Sequence, residues 1–72
     1  MKGKRLINKI KVFRAMENWT QQELALRVGV TRKTINTIEN SKFLPSAYLA
    51  LKIAKAFGVP FEDVFQIPDK AP

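Results

Sequence analysis

Residues 20–40 constrain the fold most, because they carry start and stop signals for two short helices in succession. Thr20 is a typical helix N-cap, and Glu23 three residues later completes a capping box. Gly29 supplies the left-handed conformation that ends a helix. Thr31 is then a second N-cap. The pattern therefore predicts two short helices joined by a tight turn.

The second of these helices, over residues 32–40, has a thin apolar stripe formed by Ile35 and Ile38. Its other faces carry hydrogen-bonding side chains, namely Arg32, Lys33, Thr34, Asn36 and Thr37. Paired helices of this kind are typical of a helix-turn-helix, which places its second helix in the DNA major groove. We therefore expect this helix to present a DNA-reading surface.

The charge of the chain favours a polyanionic partner. Thirteen Lys and Arg against six Asp and Glu give a net charge of +7. Six of the cations precede the first acid, Glu17, so residues 1–5 form a predicted basic arm that runs into a helix. Such a balance suits nucleic acid. The alternative is that the surplus charge serves only solubility.

The composition also bears on catalysis and on location. The chain has no Cys and no His, so it lacks the thiol nucleophile, the usual general base and the commonest metal ligands. We expect no enzymatic activity, no metal and no cofactor. No apolar run approaches the roughly 20 residues that span a bilayer, and the N-terminus is a poor secretion signal. We expect a cytoplasmic protein with no membrane partner.

The remaining elements are predicted to be helical as well. Helix 1 is expected over about residues 4–17, from the helical spacing of Leu6, Ile7, Ile10 and Phe13. A fourth helix begins after Ser46 and ends at Gly58. A short fifth helix lies within residues 59–65, with Pro60 at or near its start. One domain over 6–66 would then be followed by an irregular tail over 67–72.

Several ordered motifs resemble the small helix-turn-helix domains of the Cro and phage-repressor family, also called the XRE family. The resemblance covers about residues 6–66 and rests on segments that begin at Thr20, Val28, Ile35, Leu51 and Glu62. It implies an all-α fold, a compact five-helix bundle of the lambda-repressor-like DNA-binding type. Helices 2 and 3 would form the helix-turn-helix.

The resemblance also implies roles for individual residues. The base-facing positions of the recognition helix are occupied by Arg32, Lys33, Asn36 and Thr37. Arg or Lys can bond guanine and Asn can bond adenine, while Thr offers a hydroxyl or a methyl group. The phosphate-binding positions are occupied by Gln21, Thr31, Thr34, Asn40 and Lys42.

Two further positions concern the support of the recognition helix. Arg14 and Glu39 match the family's ion pair between helix 1 and the end of helix 3, which we expect to be close and largely buried. Arg14 could instead be another phosphate-binding cation. Ser41 replaces a frequent Gly, so either Asn40 or Ser41 is expected to adopt the left-handed conformation.

The implied function is that of a sequence-specific, double-stranded DNA-binding transcriptional regulator, repressor-like, acting as a homodimer on a near-palindromic operator. The predicted dimer surface comprises Phe61, Val64, Phe65 and Ile67. The alternative for the first three is that they complete the core. A different class of function is an antitoxin-like interaction module that neutralises or recruits a partner protein.

Overall fold

The computed structural model describes residues 6–68, so the predicted arm over 1–5 and the end of the tail, 69–72, lie outside the described residues. Five helices and two very short strands occur in the described part of the chain. In order they are β1 (Ile7–Asn8), α1 (Ile10–Glu17), α2 (Gln21–Val28), α3 (Arg32–Glu39), α4 (Ala47–Phe57), α5 (Phe61–Val64) and β2 (Phe65–Gln66). The predicted all-α, five-helix fold is confirmed, with one small two-stranded sheet in addition.

Local capping signals set most of the helix ends. The Thr20 hydroxyl accepts a hydrogen bond from the Glu23 N–H at 3.0 Å, and the Glu23 carboxylate accepts one from the Thr20 N–H at 2.7 Å. This reciprocal pair is the predicted capping box. Gly29 ends α2 with φ of 77°, and the Ser46 hydroxyl caps α4. These short-range features fix where the helix-turn-helix begins and turns.

The predicted start of helix 1 at residue 4 was wrong, because α1 begins at Ile10. Residues 7–8 instead pair antiparallel with residues 65–66 as a two-stranded sheet. The Lys9 N–H continues this pairing by donating to the Val64 carbonyl at 2.8 Å. Backbone groups that would have belonged to a first helical turn are therefore satisfied by the other end of the domain.

The core is formed by side chains from all five helices and from β2. Its fully buried large members are Ile10, Leu24, Ile35, Ile38, Ile53 and Val64. Trp19 packs against this core and stacks on Phe57, with the ring centroids 5.5 Å apart. In the described residues, no helix is long and apolar enough to cross a membrane.

The C-terminal apolar residues divide between core and surface. Val64 is 0% exposed and Phe65 is 3% exposed, so their assignment to a dimer surface was wrong. They are buried because α5 and β2 close the domain against β1 and α4. Phe61 is half-buried and stacks on Phe65 at 5.4 Å, whereas Ile67 is 78% exposed.

Candidate nucleic-acid interface

The four predicted base-reading residues lie on one side of α3. Positions 33, 36 and 37 follow position 32 by one, four and five residues, which places all four on one side of the helix. That side is opposite the stripe formed by buried Ile35 and Ile38. Arg32 and Lys33 are exposed in the first turn, whereas Asn36 and Thr37 are half-buried one turn later. The helix therefore presents its cations at its N-terminal end and its smaller polar groups behind them.

Hydrogen bonds within α3 orient the second row of this surface. The Thr37 hydroxyl lies 3.0 Å from the Thr34 carbonyl and 3.1 Å from the Lys33 carbonyl, to which it donates. The Asn40 amide nitrogen donates to the Asn36 backbone carbonyl at 2.9 Å and to the Asn36 side-chain oxygen at 3.3 Å. The Thr37 methyl and the Asn36 amide nitrogen are therefore the groups left to meet a ligand.

The two predicted phosphate-binding threonines, Thr31 and Thr34, also stabilise the start of α3. The Thr31 hydroxyl accepts from the Thr34 N–H at 3.3 Å and shares a hydrogen bond with the Thr34 hydroxyl at 3.1 Å. Exposed Thr31 thus caps the helix whose N-terminal N–H groups favour an anion. Only one of the two hydroxyls donates in the bond that they share, so the other keeps its O–H hydrogen for a phosphate oxygen.

Lys42 lies in the loop that follows α3. Its N–H donates to the Thr37 carbonyl at 2.9 Å, and the preceding Ser41 has φ of 58°. Ser41, and not Asn40 with φ of −89°, is the residue that adopts the left-handed conformation. This turn fixes the backbone of Lys42 against the end of α3 and leaves its side chain exposed.

Arg14, Gln21 and Glu39 connect three helices in an arrangement that we call the Glu39 brace. Arg14 Nε donates to Glu39 Oε2 at 2.7 Å, and Nη2 donates to Oε1 at 3.2 Å. The Arg14 and Glu39 side chains are 16% and 3% exposed. Gln21 Nε2 donates to Glu39 Oε1 at 3.1 Å. The expected close, buried pair is therefore present, and α1 and α2 both bond the last residue of α3.

Gln21 uses one N–H of its side-chain amide for this brace, and the same amide has a second N–H that can donate. Arg14 also donates from Nη1 to the Trp19 carbonyl at 2.9 Å, which ties the α1–α2 connection to the same point. Since Arg14 is committed to these bonds, the structure disfavours the alternative in which it is a free phosphate-binding cation. Glu39, the only acid of α3, has a side chain that is 3% exposed and a charge that is paired with Arg14.

Sequence reasoning missed Asn8, which supports the recognition helix from the N-terminal strand. Its Nδ2 donates to the Ile38 carbonyl at 2.9 Å, and its Oδ1 accepts from the Ile10 N–H at 3.2 Å. The second bond has a local signal, since an Asn side chain often bonds the backbone N–H two residues later in an Asx turn. The first joins residues 30 apart, and no local pattern indicates it.

Comparisons with known proteins agree with this geometry. A family model described as helix-turn-helix matches residues 10–64. An uncharacterized HTH-type transcriptional regulator of Methanocaldococcus jannaschii is 53% identical over 62 residues, covering 86% of this chain and 94% of that protein. Another, from Bacillus subtilis, is 46% identical over 63 residues, covering 88% of this chain and 96% of that protein.

Solved structures give the same result. A crystal structure of a candidate DNA-binding protein from Bacteroides fragilis matches with a TM-score of 0.76 and 28% identity, covering 85% of this chain and 98% of that one. The clp gene regulator ClgR of Corynebacterium glutamicum matches with a TM-score of 0.71 and 26% identity, covering 75% of this chain and 57% of that one. The chain therefore belongs to the XRE-type helix-turn-helix family.

Proposed function

We propose that this protein is a sequence-specific, double-stranded DNA-binding transcriptional regulator that inserts α3 into the major groove. The relatives described above are named as transcriptional regulators and not as enzymes. The observation that carries the proposal is the outward side of α3. It presents exposed Arg32 and Lys33 beside Asn36, while the charge of Glu39, the only acid of α3, is paired with Arg14.

Base reading requires a rigid helix, because each base contact depends on side-chain placement within a fraction of an ångström. The buried stripe of Ile35 and Ile38 anchors α3 to the core. The Glu39 brace and the Asn8 bond hold its C-terminal end. The Thr31 cap orders its N-terminal end. The polar surface of α3 is therefore preorganised for a ligand.

The proposed contacts follow from the chemistry of each group. Arg32 and Lys33 would bond guanine O6 and N7, Asn36 would donate from its amide nitrogen to adenine N7, and the Thr37 methyl would pack on thymine. The proposed phosphate contacts are those of Gln21, Thr31, Thr34, Asn40 and Lys42. The N–H groups at the start of α2 would add to the Gln21 contact.

We also propose that the protein acts as a homodimer on a near-palindromic operator and represses by occupying it. One recognition helix reads only a few base pairs, so specific binding requires two recognition helices, one from each protomer, about 34 Å apart. Since Val64 and Phe65 are buried, the proposed dimer surface is reduced to Phe61 and Ile67 together with exposed Ile7. These three side chains line one apolar depression with Leu6.

Two single substitutions separate base reading from phosphate binding. Arg32→Ala should cost about 1–3 kcal/mol on a preferred duplex and much less on random DNA, because only the former offers the correct base edge. Lys42→Ala should weaken both duplexes equally and lower the slope of log affinity against log salt by about one. Fluorescence anisotropy titrations at several salt concentrations measure both effects.

Exposed Lys11, on α1, supplies a matched control. Lys11→Ala removes one charge outside α3 and its loop, so the affinity it loses measures the background effect of net charge. Equal losses on preferred and random DNA for Arg32→Ala would show that Arg32 is a backbone contact, which would contradict the proposed reading surface.

A further inference from the structure

A second cationic surface lies between α2 and α4 and includes no residue of α3. Arg27 of α2 and Lys52, Lys55 and Ala56 of α4 line an open depression. We call it the α2–α4 groove. It brings together three cations that the proposed DNA contacts leave unused.

Aromatic rings, and not carboxylates, position two of these cations. The Arg27 guanidinium carbon lies 4.0 Å from the centroid of the Trp19 ring, which itself stacks on Phe57. The Lys52 ammonium lies 5.3 Å from the centroid of the Tyr48 ring. In the described part of the chain the single ion pair is elsewhere, at the end of α3. The charges of the groove are therefore ordered but not neutralised.

The outward face of α4 beside the groove, which we call its rim, carries an exposed aromatic and an exposed apolar side chain. Positions 48, 51, 52 and 55 follow helical spacing and share one outward face of α4. Tyr48 is 72% exposed and Leu51 is 55% exposed on this face, beside the two lysines. Exposed apolar side chains that are bordered by polar groups mark surfaces that bind another protein.

We propose that the α2–α4 groove binds an acidic amphipathic segment of a partner protein. Its carboxylates would pair with Arg27, Lys52 and Lys55, and its apolar side chains would cover Tyr48 and Leu51. Charge complementarity selects an acidic occupant. A DNA backbone would satisfy the cations but leave both rim side chains exposed, so the mixed character of the surface favours a peptide.

The test uses two labelled peptides of about 15 residues, roughly four helical turns. One repeats Leu-Glu-Glu-Leu-Glu-Glu-Glu, which places its leucines on one helix face, and the other replaces every Leu with Ser at unchanged charge. Fluorescence anisotropy at about 150 mM salt suppresses general charge attraction. We expect the Glu-Leu peptide to bind the full chain about tenfold more tightly than the Glu-Ser peptide, because only the former covers the rim.

Matched double variants locate the binding. Lys52→Gln with Lys55→Gln should weaken the Glu-Leu peptide about tenfold. Lys9→Gln with Lys11→Gln removes the same charge from the β1–α1 region and should change affinity less than about twofold. Leu51→Ser should weaken the Glu-Leu peptide and leave the Glu-Ser peptide unchanged. Circular dichroism checks that each variant is folded.

Three results would overturn the proposal. Equal losses in the two double variants would show that net charge alone attracts the peptide. Equal binding of the two peptides would remove the role of Tyr48 and Leu51. Finally, a larger loss of random duplex DNA in the Lys52/Lys55 variant than in the Lys9/Lys11 variant, without peptide discrimination, would make the groove a DNA-backbone contact.

Discussion

At the scale of single residues, Glu39 is the position on which the placement of α3 most depends. Its carboxylate is buried and bonds both Arg14 and Gln21. Glu39→Gln should lower the free energy of unfolding by about 3 kcal/mol, because it leaves the Arg14 charge largely desolvated without a counter-ion. Urea denaturation followed by circular dichroism measures this change.

The control for that variant is Glu17→Gln, at an exposed acid on α1. Its effect should stay within about 0.5 kcal/mol, as is usual for surface positions. A loss at Glu39 no larger than the loss at Glu17 would show that the brace does not stabilise the fold.

Predictions for single residues succeeded where the bonding partner lies a few residues away in the sequence, or where the family resemblance indicates that partner. The Thr20–Glu23 capping box depends on a spacing of three residues, so the sequence alone indicates it. The Arg14–Glu39 pair spans 25 residues and was expected only through the family. Asn8 spans 30 residues to Ile38, and neither local pattern nor resemblance revealed its bond.

At the scale of elements, the start of α1 shows why periodicity alone was insufficient. Leu6 and Ile7 fit the apolar spacing of a helix that continues to Ile10, and the same short apolar run fits a strand. The choice is made by residues 65–66, which pair with 7–8 across almost the whole chain. A contact between residues so far apart in the chain leaves no local signal in the sequence. The helix ends at Asn18, Gly29 and Gly58 do have one, because Asn and Gly are the residues that best tolerate the left-handed conformation found there.

The turn after α3 offers a test at this scale. Ser41 holds φ of 58°, a conformation that disfavours residues with a Cβ atom, whereas Gly adopts it freely. Ser41→Gly should therefore raise the free energy of unfolding by about 0.5–1 kcal/mol, after the entropy that Gly adds to the unfolded chain is subtracted. Chemical denaturation at equilibrium measures the gain.

Asn18, with φ of 61°, is the matched position for comparison. Because Asn tolerates this conformation better than Ser does, Asn18→Gly should give a smaller gain. If Ser41→Gly destabilised the protein, or gained no more than Asn18→Gly, strain at Ser41 would not be a feature of the α3–α4 loop.

At the scale of the whole molecule, the helix start and stop signals and the family resemblance both predicted five helices, but neither predicted how the C-terminus closes the domain. Val64 and Phe65 are apolar residues near the chain end, and the sequence alone does not distinguish a late core residue from an interface residue. Their burial follows from pairing with the N-terminal strand. The proposed dimer surface therefore depends on the few side chains that remain outside, above all Ile67.

The central claim is that two copies of α3 read duplex DNA. It is tested most directly by selecting binding sites from random duplex DNA with the full chain at about 150 mM salt, where pure charge attraction is weakened. Protein carrying both Arg32→Ala and Asn36→Ala serves as the control. We expect an enriched near-palindrome with half-sites one helical turn apart, about 34 Å, which the control variant fails to enrich. An absence of any enriched motif, or the same motif with the control variant, would contradict base reading by α3.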